Sequence, residues 1–289
     1  NILFSTERII VNNRWLTSQT KVGRIDNSTV DDKYPGLFHD SDQYLFISKR
    51  SGRGQLYLAN YDEKQAKIVT NFDEAHWLGY IAVAADDKSV LLNLGNKIYQ
   101  LSINQLNMDH PLRSLNNEQL VYTSQNPIIA LDWFSKDKVA VTMVNNAIPE
   151  LVIIHLPTLT IEQPSGQWAY GLSDNVNPHI SYLIEQHSNQ LYRYNSLSSE
   201  SDSLDQMDKF VNTKITLPKG FYHPKIDDHT LFYVTTENGN EYLHSVSLMS
   251  NKASNKYRLN AFSSYDVSRG NIILSDMEKL EGDVHRTLL

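Results

Sequence analysis

Six times along the chain an apolar run begins after a similar interval, at Tyr34, Gly79, Ile128, Trp168, Phe221 and Ser264, with spacings of 45, 49, 40, 53 and 43 residues. Each start opens a series of short runs rich in Val, Ile, Leu, Tyr and Phe, separated by Asp, Asn, Ser, Lys or Gly. Such runs read as strands and turns, and long amphipathic helical patterns are nearly absent. The first unit supplies the template: "YPGLF", the turn "HDSDQ", "YLFIS", the tip "KRSGRG", "QLYLAN", the turn "YDEKQ" and "AKIVT". Four strands in a meander, recurring every 40–45 residues or so, is the pattern of a β-propeller.

The units span 34–72, 79–124, 128–164, 168–217, 221–261 and 264–289. Five hold all four strands and the sixth lacks its last. The stretch "NRWLTS" (Asn13–Ser18) is similar to the fourth strands "AKIVTN" and "QLVYTS". The expectation is therefore one all-β domain over residues 1–289. It is a six-bladed β-propeller of four-stranded antiparallel blades, with Asn13–Ser18 closing the last blade. An unclosed blade would leave a row of backbone N–H and C=O groups unpaired. Second strands such as "YLFIS", "SVLLNL" and "TLFYVT" are apolar on both faces, as expected of sheets sandwiched between neighbours. Inserts near 103–118 and 198–210 interrupt third-to-fourth connections, and the second of these is acidic and serine-rich.

Composition narrows the function classes. A formal net charge of −7, with no Lys/Arg-rich run, argues against a nucleic-acid surface. The absence of cysteine excludes disulfides, cysteine–zinc sites and thiol catalysis. It fits an oxidising compartment such as the periplasm, and many cytosolic proteins too. No apolar run reaches the ~18 residues of a membrane span. The chain opens at Asn1 with no signal-like segment, as a mature form or an excised fragment would.

The stretch "LTSQT…YPGLFHDSDQYLFISKRSGRGQLYLANYDEKQAKIVT" resembles the TolB-type repeat of six-bladed propellers. Arg50, Ser51 and Gly52 match that repeat's second-to-third tip, Gln55–Leu58 its third strand, and Val69–Thr70 its close. The repeat's Ser-Pro-Asp-Gly turn stands here as "HDSDQ", "AADDK", "FSKDK" and "KIDDH", keeping Asp and losing Pro and Gly. The C-terminal unit resembles the last blade of propellers in membrane-anchored winged-helix transcriptional regulators of the CadC kind. That resemblance implies a periplasmic sensor domain, attached to the membrane through a segment outside this chain. A TolB-like periplasmic protein-interaction scaffold is the alternative, and a propeller hydrolase or lyase without a linear motif is a third.

Linear motifs for chemistry are missing. There is no G-x-S-x-G elbow, no His-x-His or His-Glu-x-x-His spacing, and no glycine-rich cradle opening a helix. His76, His223 and His244 would meet only through blade geometry. Asp40, Asp42 and the run Asp202, Asp205, Asp208 lack a calcium loop's glycine and terminal Glu, and read as turn aspartates. The expectation is a non-catalytic module with no metal site and no cofactor.

Two groups of residues are candidates for contact. Aromatics gather where first strands begin, and either pack between blades or line a funnel that accepts a small ligand or a protein segment. The funnel reading selects Trp77, Trp168, Tyr170, Tyr222, His223 and Tyr265 at the channel mouth. The basic tip with Lys49, Arg50 and Arg53 is either a solvated turn, using the freedom of Gly52 and Gly54, or a contact for an anionic partner. The ten histidines also allow a response to pH near neutrality.

Overall fold

The computed structural model describes residues 6–12, 23–28, 32–61, 65–72, 78–164, 166–174, 176, 179–195, 210–250, 253–259 and 264–277. In chain order the strands begin with β1 (Thr6–Asn12) and β2 (Gly23–Ser28). Then come β3 to β6 (Asp32–Leu37, Gln43–Ser48, Gln55–Asn60, Lys67–Ile68) and β7 to β10 (Leu78–Val83, Ser89–Leu94, Lys97–Ser102, Leu120–Thr123). These are followed by β11 to β14 (Ile128–Ser135, Lys138–Asn145, Ile148–His155, Thr160–Glu162) and β15 to β18 (Trp168–Ser173, Ile180–Glu185, Gln190–Asn195, Phe210–Thr216). Last are β19 to β22 (Tyr222–Asp227, Thr230–Glu237, Asn240–Ser247, Ala253–Leu259), β23 (Ser264–Ser268) and β24 (Asn271–Met277).

They form four-stranded antiparallel sheets, five of them continuous meanders, and one composite sheet in the order β2-β1-β24-β23. The architecture is an all-β propeller. Both chain ends build the composite sheet, with β1 paired to β24 along all seven residues. The closing strand expected at Asn13–Ser18 lies outside the described residues. Closure runs instead through Thr6–Asn12 and Gly23–Ser28, so the N-terminal side supplies two strands where the sequence reading assigned one.

Period-two alternation sends neighbouring side chains of a strand to opposite faces, and here both faces are buried. In β20, Leu231 and Tyr233 pack toward the β15–β18 sheet, while Phe232 and Val234 pack toward the composite sheet. The same division around the ring yields a separate apolar layer at each junction, including the layer of Leu37, Tyr44, Phe46 and Ile273 where the composite sheet meets β3–β6. Sheets approach most closely at glycine. A Cβ on Gly36 would stand 2.5 Å from Ile81 Cγ2 of the next sheet.

Each innermost strand of the five meanders carries a register shift, such as Lys33/Gly36 in β3, Leu78/Ile81 in β7 and Tyr222/Lys225 in β19. Bulges re-aim side chains. Tyr34 and His223 sit inside two of them with φ of 51° and 49°, each followed by proline.

Candidate functional site

The innermost strands surround an axial channel lined by Tyr34, Tyr80, Asp132, His223, Lys225 and Tyr265 among others. Its free volume is about 40 Å³, room for ordered water and little more. The Lys225 ammonium closes it, 3.3 Å from Asp132 Oδ2 across the axis and 3.5 Å from Asp266 Oδ1. Asp132 also accepts from the Trp133 N–H at 2.9 Å, and Asp266 from the Leu37 N–H at 2.9 Å. Burial alone would depress the Lys225 ammonium, but Asp132 and Asp266 outweigh it and hold its pKa up. The three groups belong to three different sheets, so this cluster pins the ring from inside.

His223 lies above the cluster, its ring 6.1 Å from Tyr80 and 5.3 Å from Tyr222. Burial, with Lys225 adding to it, pushes the imidazole down to about 4, so it is neutral at neutral pH. The Tyr265 hydroxyl donates to the His223 carbonyl, and the Tyr34 N–H donates to Ser264 Oγ at 2.7 Å.

On the face formed by first-to-second strand turns lies a basin of about 970 Å³. Ala84, Trp133, Leu156 and Pro157 give it apolar surface, and Asp86, Lys88, Lys136, Asp137 and Arg269 surround this with charge of both signs. Val176, 56% exposed, also lines it. The turn aspartates do more than cap their own turns. Asp87 accepts the His39 and Asp40 N–H groups of the preceding sheet at 2.7 and 2.6 Å. Asp227 accepts the Arg269 and Gly270 N–H groups of the composite sheet at 3.1 and 2.7 Å, and Asp174 holds His229 Nδ1 at 3.2 Å. His39 adds a link, with Nδ1 2.9 Å from Ser268 Oγ.

Of the aromatics expected at the mouth, His223 and Tyr265 line the channel. Trp168 packs against Tyr192 and Phe210, each 5.4 Å away. Tyr170 is buried 5.5 Å from Phe221, and burial pushes its hydroxyl up to about 12. Tyr222 donates to Glu241, and burial followed by that hydrogen bond lifts it to about 12. Those three therefore serve packing, because the bulges turn the neighbouring residues toward the axis. Trp77 and His76 lie outside the described residues, as do Asp202, Asp205 and Asp208. His244 stacks on Tyr233 at 4.9 Å instead of joining His223.

At the tip, Lys49 and Arg53 are exposed, and Gly52 takes φ of 89° as the turn requires. Arg50 folds back. Its guanidinium donates to Asp32 at 2.8 Å and to Ser48 Oγ at 3.1 Å, and lies 5.3 and 5.2 Å from the Phe46 and Tyr57 ring centres. Among the described residues no group of three or more His, Asp or Glu is placed to hold a metal ion. No helix among them is long and apolar enough to cross a membrane.

The sequence reading did not single out Asp132, Lys225 or Asp266. Each is a charge placed within a first strand, in "IIALDWF", "YHPKI" and "SYDVS", and it is the ring that brings the three together.

No protein family and no curated protein matches the sequence. Solved structures match the fold. A putative TolB from Agrobacterium tumefaciens superposes with a TM-score of 0.66 at 10% identity, over 96% of this chain and 99% of that one. TolB from Acinetobacter baumannii gives 0.58 at 12% identity, over 96% and 66%. A luciferin-regenerating enzyme gives 0.53 at 10% identity, over 82% and 78%. At such identities the likeness is one of fold, and this fold serves an enzyme among the three. The chain has a TolB-like β-propeller fold.

Proposed function

We propose that the chain is a non-catalytic binding propeller, a TolB-like extracytoplasmic scaffold that holds a segment of a partner protein in the basin on its turn face. The basin carries this reading. It combines apolar surface with charge of both signs, the composition of a protein-contacting patch, and it stands on a framework stapled between sheets by Asp87, Asp174 and Asp227. The convergence of Asp132, Asp266, Lys225 and His223 is the kind of cluster a catalytic site uses. The cavity beside them has no room for a substrate, and the charges there face one another, which favours a structural lock.

The test is a photo-crosslinking residue at Val176 or Lys136, with the exposed Met249 as control position. Capture of one protein from the basin positions, lost when Lys136→Glu is added to the Val176 probe, supports the scaffold. Equal capture from Met249, or none from the basin, overturns it.

A second reading places the same domain in a membrane-anchored winged-helix regulator, as its sensor. One observation favours it. Arg269, which lines the basin, stands in the turn between β23 and β24, and β24 pairs directly with the N-terminal strand β1. A basin occupant would thus act one hairpin away from the chain's N-terminal side.

A further inference from the structure

On the face opposite the basin, a second groove of about 550 Å³ runs from the channel mouth across the junction of the β7–β10 and β11–β14 sheets. Tyr34 and Tyr80 form one wall, with ring centres 5.1 Å apart at 60°, and His223 stands next to Tyr80. The rim is made of amides: Asn93, Asn96, Gln125 and Asn126. Among the described residues, no Asp, Glu, Lys or Arg lines it.

The amides are not all engaged. Asn93 Nδ2 donates to the Gly95 and Lys97 carbonyls at 2.8 and 3.2 Å, and Asn96 Nδ2 to the Ser124 carbonyl at 2.9 Å. These bonds hold the two turns in place. Among the described residues, the side-chain amides of Gln125 and Asn126 and the Asn96 Oδ1 have no hydrogen-bond partner. A ligand in the groove meets two full amide groups and one extra acceptor, beside the Tyr34 and Tyr80 side chains.

We propose that this groove is a binding site for an uncharged carbohydrate. Sugar hydroxyls both donate and accept, and planar amides match that pairing without the desolvation cost of a buried charge. The apolar C–H face of a pyranose suits the negative face of an aromatic ring. The volume lies in the usual range for small-ligand sites, roughly 300–1,000 Å³. A peptide fits less well. The nearby backbone is already engaged, with Ser124 N–H on the Asn96 carbonyl and Val144 N–H on the Pro127 carbonyl, so no strand edge is offered.

The experiment uses the whole chain on an array of neutral and acidic glycans, followed by calorimetric titration with the best neutral oligosaccharide. The expected result is binding of neutral glycans, weakened about tenfold or more in Gln125→Ala/Asn126→Ala, since two hydrogen bonds are lost. Both residues lie at the surface, so that variant tests recognition apart from folding. Tyr80→Leu should also weaken binding, with its melting temperature recorded alongside. Retention of acidic glycans alone, no glycan binding at millimolar concentration, or neutral-glycan affinity unmoved by the double variant overturns the proposal. So does capture from a neutral peptide library that depends on Gln125 and Asn126 when glycans fail.

Discussion

A single ammonium shared by two carboxylates makes the axis of the ring sensitive to its own charge count. Lys225→Met would leave Asp132 and Asp266 facing each other with little water. Removing one partner of a buried ionic cluster costs about 3–5 kcal/mol, and urea unfolding at neutral pH should show a loss of that order. In the variant the Asp132 carboxyl, raised by burial and no longer opposed by Lys225, is stabilised in its protonated form, so its folded pKa stands above the unfolded one. Stability relative to the unchanged protein should then recover as pH falls toward 4, and a constant deficit would contradict the cluster's role. His223 works in the other sense. Its folded pKa of about 4 lies below the unfolded value near 6.5, so its contribution is complete above 6.5 and is lost as pH falls to 4. That loss is of the order of 3 kcal/mol. His223→Asn, which keeps a residue tolerant of φ near 49°, should flatten the melting temperature between pH 6.5 and 4. An unchanged slope would mean that another group titrates there. None of this was legible from the residues singly. The charges in "IIALDWF" and "YHPKI" stand 93 residues apart, and only ring closure brings them within 3.3 Å.

Strands and turns were the legible level, because alternation and turn residues are local properties. What local pattern does not carry is which side of an innermost strand meets the axis. One extra residue at a bulge reverses that choice, and so Tyr222 packs while His223 faces the channel. Gly36 measures the spacing between strands of neighbouring sheets. Gly36→Ala would press a methyl against Ile81, and overpacking of this kind costs about 1–3 kcal/mol. Ile81→Ala in the same chain should return part of it, which a double-mutant cycle in urea would read as coupling. At the tip, Arg50 and Lys49 separate two roles within one turn. Arg50→Ala removes a charged hydrogen bond to Asp32 and should cost about 1.5–3 kcal/mol. Lys49→Ala, at an exposed position, should stay within about 0.5 kcal/mol. Equal effects would return the tip to the status of a plain solvated turn.

At the scale of the whole molecule, the ring is held shut by a seam between its two chain ends. The need for closure was readable from the incomplete last unit. The strands that supply it were not, since "NRWLTS" looks more like a fourth strand than Thr6–Asn12 does. Beside it, the composite sheet is bonded to β3–β6: Ser275 donates to the Asp32 carbonyl, Leu37 N–H to Asp266, and Ser268 meets His39. Removing residues 1–28 deletes two strands of the composite sheet and bares the β24 edge, so several kcal/mol of stability should go, and gel filtration should show more self-association than in the intact chain. A synthetic peptide of residues 1–30 supplied in trans should restore the melting temperature in a concentration-dependent way, as strand addition linked to folding does. Its affinity reports how well the composite sheet is formed, and that connects the seam to the basin. Asp227 fixes the Arg269–Gly270 turn through two backbone N–H groups, at the end of the hairpin on which the peptide would pair. Asp227→Ala in the truncated chain should therefore weaken the peptide about tenfold, in line with the loss of bonds to a charged acceptor. If the peptide binds equally well with Asp227 replaced, the turn face and the N-terminal strands are energetically separate, and a signal passed from basin to seam loses its physical path.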